Sequence, residues 1–100
     1  MNSLVVAAQD DGDTHVLVLE GELDMATAPD LETRLKGLDG EVRLECAGLS
    51  FVDSRGLSLF VDTHRRLAER GGKLVLANLA PNCRRVIELM KLDNLLNLDD

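Results

Sequence analysis

The period of apolar positions changes along the chain. Leu4 to Gln9 form a first, mostly apolar segment, and beyond Asp10-Asp11-Gly12-Asp13 comes a second, Thr14 to Gly21, in which Val16, Val18 and Glu20 alternate with Leu17 and Leu19. Two strands joined by a hairpin account for this, and the second, apolar on both faces, belongs inside a sheet. Leu31, Leu35 and Leu38 then recur at helical spacing behind Thr27 as N-cap and Pro29 in the first turn, so a helix is expected to end near Gly40. Val42, Leu44 and Cys46 alternate with Glu41, Arg43 and Glu45, the pattern of a half-buried strand expected to reach a turn at Ala47-Gly48.

A second helix is predicted from about Ser54, with Leu57, Phe60, Val61, His64, Leu67 and Ala68 on its inner stripe and Gly71-Gly72 as its stop. Lys73 to Asn78 read as a short strand, in which Leu74 to Ala77 are apolar enough to be buried. Pro81 and Asn82 announce a last helix with Val86, Leu89 and Met90 turned inward. This order predicts an α/β fold, a single domain over residues 1–100. Its mixed sheet has about four to five strands, antiparallel at the first hairpin and parallel across the crossovers, with three main helices packed against it.

Composition narrows the function. With 100 residues, 45% of them hydrophobic, the chain supports one core and leaves no room for a separate catalytic domain. The net charge of −7 argues against direct nucleic-acid binding, because that binding draws on neutralisation of phosphates. The basic positions Arg65, Arg66, Arg70, Arg84 and Arg85 have no interleaved aromatic residues and read as solvated helix faces. No run approaches the roughly 20 apolar residues of a spanning helix, and Met1-Asn2-Ser3 carries no basic leader region, so the expectation is a cytoplasmic protein without membrane insertion. Cys46 and Cys83 read as reduced, packed thiols.

No catalytic residues, metal site or cofactor are expected. Ser54 lacks a histidine base, since His15 begins a strand and His64 lies on a helix's inner stripe; metal-ligand spacings and a phosphate-binding glycine loop are missing. Polar groups concentrate instead in Leu49-Ser50-Phe51-Val52-Asp53-Ser54-Arg55-Gly56-Leu57, which leaves a strand and opens a helix where open α/β sheets place their sites. Ser54 fits a helix N-cap. It also fits a switch, because phosphorylation adds about −1.5 to −2 charge beside the positive end of a helix.

Four segments, Gly21-Glu22-Leu23-Asp24, Asp53-Ser54-Arg55-Gly56-Leu57, Arg70-Gly71-Gly72-Lys73-Leu74-Val75-Leu76 and Val86-Ile87-Glu88-Leu89-Met90-Lys91-Leu92-Asp93, resemble in order the anti-sigma factor antagonists of the STAS domain family. The resemblance implies partner switching. The unmodified protein binds an anti-sigma factor, itself a serine kinase, and so releases a sigma factor; phosphorylation of Ser54 ends binding and a phosphatase restores it. It further implies a partner-binding set of Asp24, Asp53, Ser54, Arg55, Gly56 and Ser58. Asp24 and Asp53 flank the acceptor and either orient its hydroxyl, contact the partner or cap turns. The family often has serine at the position of Arg55 and glycine at that of Ser58, so Arg55 either pairs with a phosphate on Ser54 or selects a partner by charge. The alternative is a non-switching STAS subunit of a stress-signalling scaffold or of a lipid-transport ABC complex.

Overall fold

The computed structural model describes residues 3–99. Met1 and Asn2, on which the absence of a leader was partly read, and Asp100 lie outside the described residues. The elements are β1 (Leu4–Ala8), β2 (Thr14–Leu23), α1 (Ala28–Leu35), β3 (Glu41–Val52), α2 (Ser54–Glu69), β4 (Lys73–Ala77), α3 (Pro81–Leu89) and β5 (Asn97–Asp99). One five-stranded sheet runs in the order β1-β2-β3-β4-β5, with β1 antiparallel to β2 and the other neighbours parallel. The mixed α/β architecture expected from the sequence is present. β2 sits inside the sheet, as its two-sided hydrophobicity requires.

The parallel connections step in one direction across the sheet, and right-handed crossovers place all three helices on the same face. Leu17 and Leu19 of β2, Leu44 of β3 and Leu74 and Leu76 of β4 meet Leu31 and Leu35 of α1, Phe60 and Leu67 of α2 and Ile87 of α3 in one core. The opposite face is mixed, with Val16, Val18, Val75 and Ala77 in register with Arg43 and Glu45. There Arg43 reaches Asp99 at 2.7 Å and Lys73 reaches Glu41 at 3.7 Å.

β3 does not turn at Ala47-Gly48 but continues to Val52. Register shifts against β2 between Val18 and Glu20 and between Gly21 and Glu22 absorb the extra residues as bulges. A Cβ on Gly48 would stand 2.9 Å from Glu20 Cγ and 3.0 Å from Leu19 O, so this glycine serves close strand approach. β3 therefore outreaches β4 and carries the segment after Val52 beyond the sheet's edge. Helix α1 stops at Leu35, short of Gly40, where Arg66 of α2 donates to the carbonyls of Leu35 at 2.8 Å and Leu38 at 3.0 Å. β5 follows α3 as a strand too short to leave an alternating pattern.

Candidate functional site

The site forms where β2 and β3 run out side by side. The Asp53 amide donates to Leu23 O at 3.1 Å, which ties the end of β3 to the end of β2. Asp53, in extended conformation, is the N-cap of α2: its Oδ1 accepts from the amides of Arg55 at 2.9 Å and Gly56 at 3.0 Å. Its other oxygen accepts from the Met25 amide at 3.2 Å, so one carboxylate joins the start of α2 to the turn before α1.

The cap is thus Asp53, and Ser54, expected as the cap, occupies the first helical position. It is exposed, and its hydroxyl makes no hydrogen bond among the described residues. The capping preferences of Asp and Ser are nearly equal; the pairing of Asp53 N–H with Leu23 O settles which one holds the non-helical position.

Asp24 performs a similar task before α1. It is buried, and its carboxylate accepts from the amides of Ala26 at 2.9 Å and Thr27 at 3.1 Å. Its own amide donates to Thr27 Oγ1 at 3.0 Å, and that hydroxyl donates to Glu22 O at 2.7 Å. Thr27 therefore stands at the N-cap position of α1 without capping it. The reciprocal pair holds Met25 outward, 77% exposed.

Arg55 points across to α1, where Nη2 lies 3.3 Å from Glu32 Oε1. Gly56 is buried: a Cβ there would lie 2.7 Å from Val52 Cγ2 and 2.8 Å from Leu23 Cγ, so glycine lets α2 close onto the two strands. Ser58 is exposed one turn beyond Ser54, and both line a groove of about 380 Å³ whose apolar part comes from Leu57, Val61, Met90 and Leu92. Asp24, Asp53, Ser54 and Arg55 thus gather around one end of the sheet, Ser58 extends the surface along α2, and Gly56 lies beneath it.

Met25 and Glu32 belong to this surface and were not singled out from the sequence, and Met90, which lines the groove, was expected in the core. Leu89 and Met90, expected inward, are 68% and 60% exposed; the buried residues of α3 are Cys83 and Ile87. The helix closes with Leu92 N–H to Ile87 O at 2.9 Å and Lys91 N–H to Glu88 O at 2.9 Å, with Lys91 in the left-handed region at φ 58°. This closure turns Leu92, half-buried, against the core and leaves Met90 outside.

His64 is half-buried with Nδ1 unpartnered, in keeping with a boundary position. The two thiols are buried, and burial pushes both up: Cys46 to about 12, helped by Glu45 and Cys83, and Cys83 above its ordinary value. The helix start at Cys83 does not produce a reactive thiolate. Among the described residues no group of His, Cys, Asp and Glu is placed to hold a metal ion, and no helix is long and apolar enough to cross a membrane.

A sheet covered by helices on one face, presenting a capped helix start, a free hydroxyl and the exposed Met25 at one end, defines a small α/β recognition domain. Residues 6–97 match the family described as Mlab, STAS domain. The anti-sigma-B factor antagonist of Bacillus subtilis (strain 168) is 31% identical over 98% of this chain and 92% of its own length. The crystal structure of an anti-sigma factor antagonist from Mycobacterium paratuberculosis has the same fold, with a TM-score of 0.85 at 26% identity, covering 97% of this chain and 86% of that one. So does the Bacillus cell fate determinant SpoIIAA in its phosphorylated form, with a TM-score of 0.72 at 22% identity and coverage of 96% and 92%. The chain belongs to the STAS domain family of anti-sigma factor antagonists.

Proposed function

We propose that this chain is an anti-sigma factor antagonist acting by binding rather than catalysis, switched by phosphorylation of Ser54. Unmodified, it binds a cytoplasmic anti-sigma factor that is also a serine kinase and so frees a sigma factor. The binding surface comprises Ser54, Arg55, Ser58 and the Asp24–Met25 turn, held in register by Asp53 and Gly56. Phosphorylation by the partner ends the complex and a phosphatase restores it.

The observation that carries this reading is the uncommitted Ser54 hydroxyl directly after a cap supplied by Asp53. Adding about −1.5 to −2 charge at that oxygen removes no hydrogen bond of the fold. It changes the field a partner meets beside Met25 and the groove, and like charge on the partner then weakens association. The names of the relatives supply the partner class, and SpoIIAA supplies a phosphorylated member of the fold.

The test is affinity capture from the native cytoplasm with wild-type, Ser54→Ala and Ser54→Asp proteins, together with intact-mass measurement of the chain. Wild type and Ser54→Ala should recover a kinase-type anti-sigma factor, Ser54→Asp should lose it, and the phosphate should map to Ser54. Equal recovery by wild type and Ser54→Asp would sink the switch. Recovery of an ABC-transporter ATPase instead, indifferent to Ser54, would replace it with the subunit reading.

A further inference from the structure

β1 is an edge strand whose outer side carries no barrier of its own. Glu22 N–H donates to Ser3 O at 2.8 Å and Gln9 N–H to Val16 O at 2.7 Å, and Leu4 stands opposite Gly21 in the antiparallel ladder. Alternation of that ladder turns the amides and carbonyls of Val5 and Ala7 toward β2 and those of Leu4, Val6 and Ala8 away from the sheet. Leu4-Val5-Val6-Ala7-Ala8 contains no charge and no proline, and no register shift interrupts its pairing with β2. Native edges are usually blunted by such devices. Here the device comes from elsewhere: Arg34 of α1 donates from Nη1 to Val6 O at 3.1 Å, across a groove of about 320 Å³ between β1 and α1.

We propose that the outer edge of β1 is a docking surface for β1 of a second copy of this chain, gated by Arg34. The chemistry of the edge selects its occupant, since alternating outward amides and carbonyls are matched by another extended backbone. A second β1 matches by symmetry. Antiparallel pairing about a two-fold axis at Val6 sets Val6 against Val6 and Leu4 against Ala8, so each outward group meets its complement. The same pairing lays Val5, 59% exposed, beside Ala7 of the other copy, and brings no charged strand residues into opposition. The obstacle is the pair of Arg34 guanidinium groups, which sit on the carbonyls nearest the axis and repel one another there. Arg34 must leave Val6 O before the strands close. This surface shares no residue with the proposed partner face and does not depend on the switch.

Sedimentation velocity from micromolar to millimolar concentration, with amide hydrogen exchange, tests this on the full chain. Arg34 is exposed, so Arg34→Ala leaves the core intact. It should tighten self-association about tenfold or more, because two exposed Arg34–Val6 hydrogen bonds, one in each copy, no longer have to break. In the dimer the amides of Leu4, Val6 and Ala8 should become protected, having exchanged fast in the monomer beside protected Val5 and Ala7. Adding Val6→Pro, which removes an outward amide and no ladder bond, should return Arg34→Ala to monomer; Ala8→Pro does the same if Val6→Pro lowers stability. An Arg34→Ala protein that stays monomeric throughout overturns the proposal. So does a dimer that survives both prolines or leaves the three amides unprotected.

Discussion

Asp53→Ala removes three bonds at once, and their surroundings set what each is worth. Loss of a helix cap costs about 0.5–2 kcal/mol. Here the upper half of that range applies, because one orphaned amide belongs to Gly56, packed under Leu23 and Val52 where water does not readily replace the carboxylate. The Met25 amide is at an exposed position and regains water, so its bond adds about 0.5 kcal/mol. The sum is about 2 kcal/mol, or roughly 10 °C in Tm for a domain of this size. Asp53→Asn keeps one acceptor for the cap but turns a donor toward Met25 and loses the charge that favours the helix start, for about 1 kcal/mol. Ser54→Ala, which touches no bond, stays within about 0.5 kcal/mol of wild type. Urea unfolding followed by circular dichroism reads all three, with midpoint shifts at unchanged slope. Asp53→Ala within error of wild type, or Ser54→Ala as damaging as Asp53→Ala, would show that the cap is not where the geometry puts it.

Gly56→Ala gains helix propensity of about 1 kcal/mol at most, less in a first turn, against overpacking of about 1–3 kcal/mol from a methyl placed 2.7–2.9 Å from Val52 and Leu23. Net destabilisation of about 1–2 kcal/mol is expected in the same urea assay, and a neutral or stabilised variant would mean that α2 has room to lift. The raised thiols make stability fall at alkaline pH. A group whose folded pKa is raised stabilises fully below its unfolded pKa and loses that contribution as pH rises through the folded one, so for Cys46 the loss runs from about 9 to about 12. The chain has no tyrosine to obscure this window, and Cys46→Ala should flatten the decline; parallel wild-type and variant profiles would rule Cys46 out as its source.

Period and punctuation carried most of the architecture. The hairpin before β2, the stop of α2 at Gly71, where φ is 80° and the Gly72 amide reaches Leu67 O, and the parallel crossovers all follow from local signals. What was illegible depends on partners distant in sequence. Arg66 reaches the last carbonyl of α1 across 31 residues and Arg34 covers Val6 across 28, and nothing near either arginine announces its carbonyl. Gly48 carries the signature of a turn yet serves a bulge, because its constraint comes from Glu20 on the neighbouring strand. At the site, the strand-to-helix junction was legible but the division of labour within it was not. Asp53 and Ser54 are both good caps, and the choice rests on a backbone bond to Leu23.

That division determines what a phosphate on Ser54 does. Had Ser54 been the cap, its modification would compete with the bonds that start α2. With Asp53 Oδ1 already holding the amides of Arg55 and Gly56, a phosphate at the first helical position stays on the surface and acts through its field. The neighbour best placed to respond is Arg55. Its pair with Glu32, 3.3 Å long and with both side chains more than a third exposed, is the kind worth at most about 1 kcal/mol. A dianion one residue away offers shorter, charge-assisted bonds and draws the guanidinium from α1. Under the proposed switch, phosphorylation therefore alters the partner face twice, adding negative charge at Ser54 and withdrawing the positive charge that Arg55 holds toward Glu32.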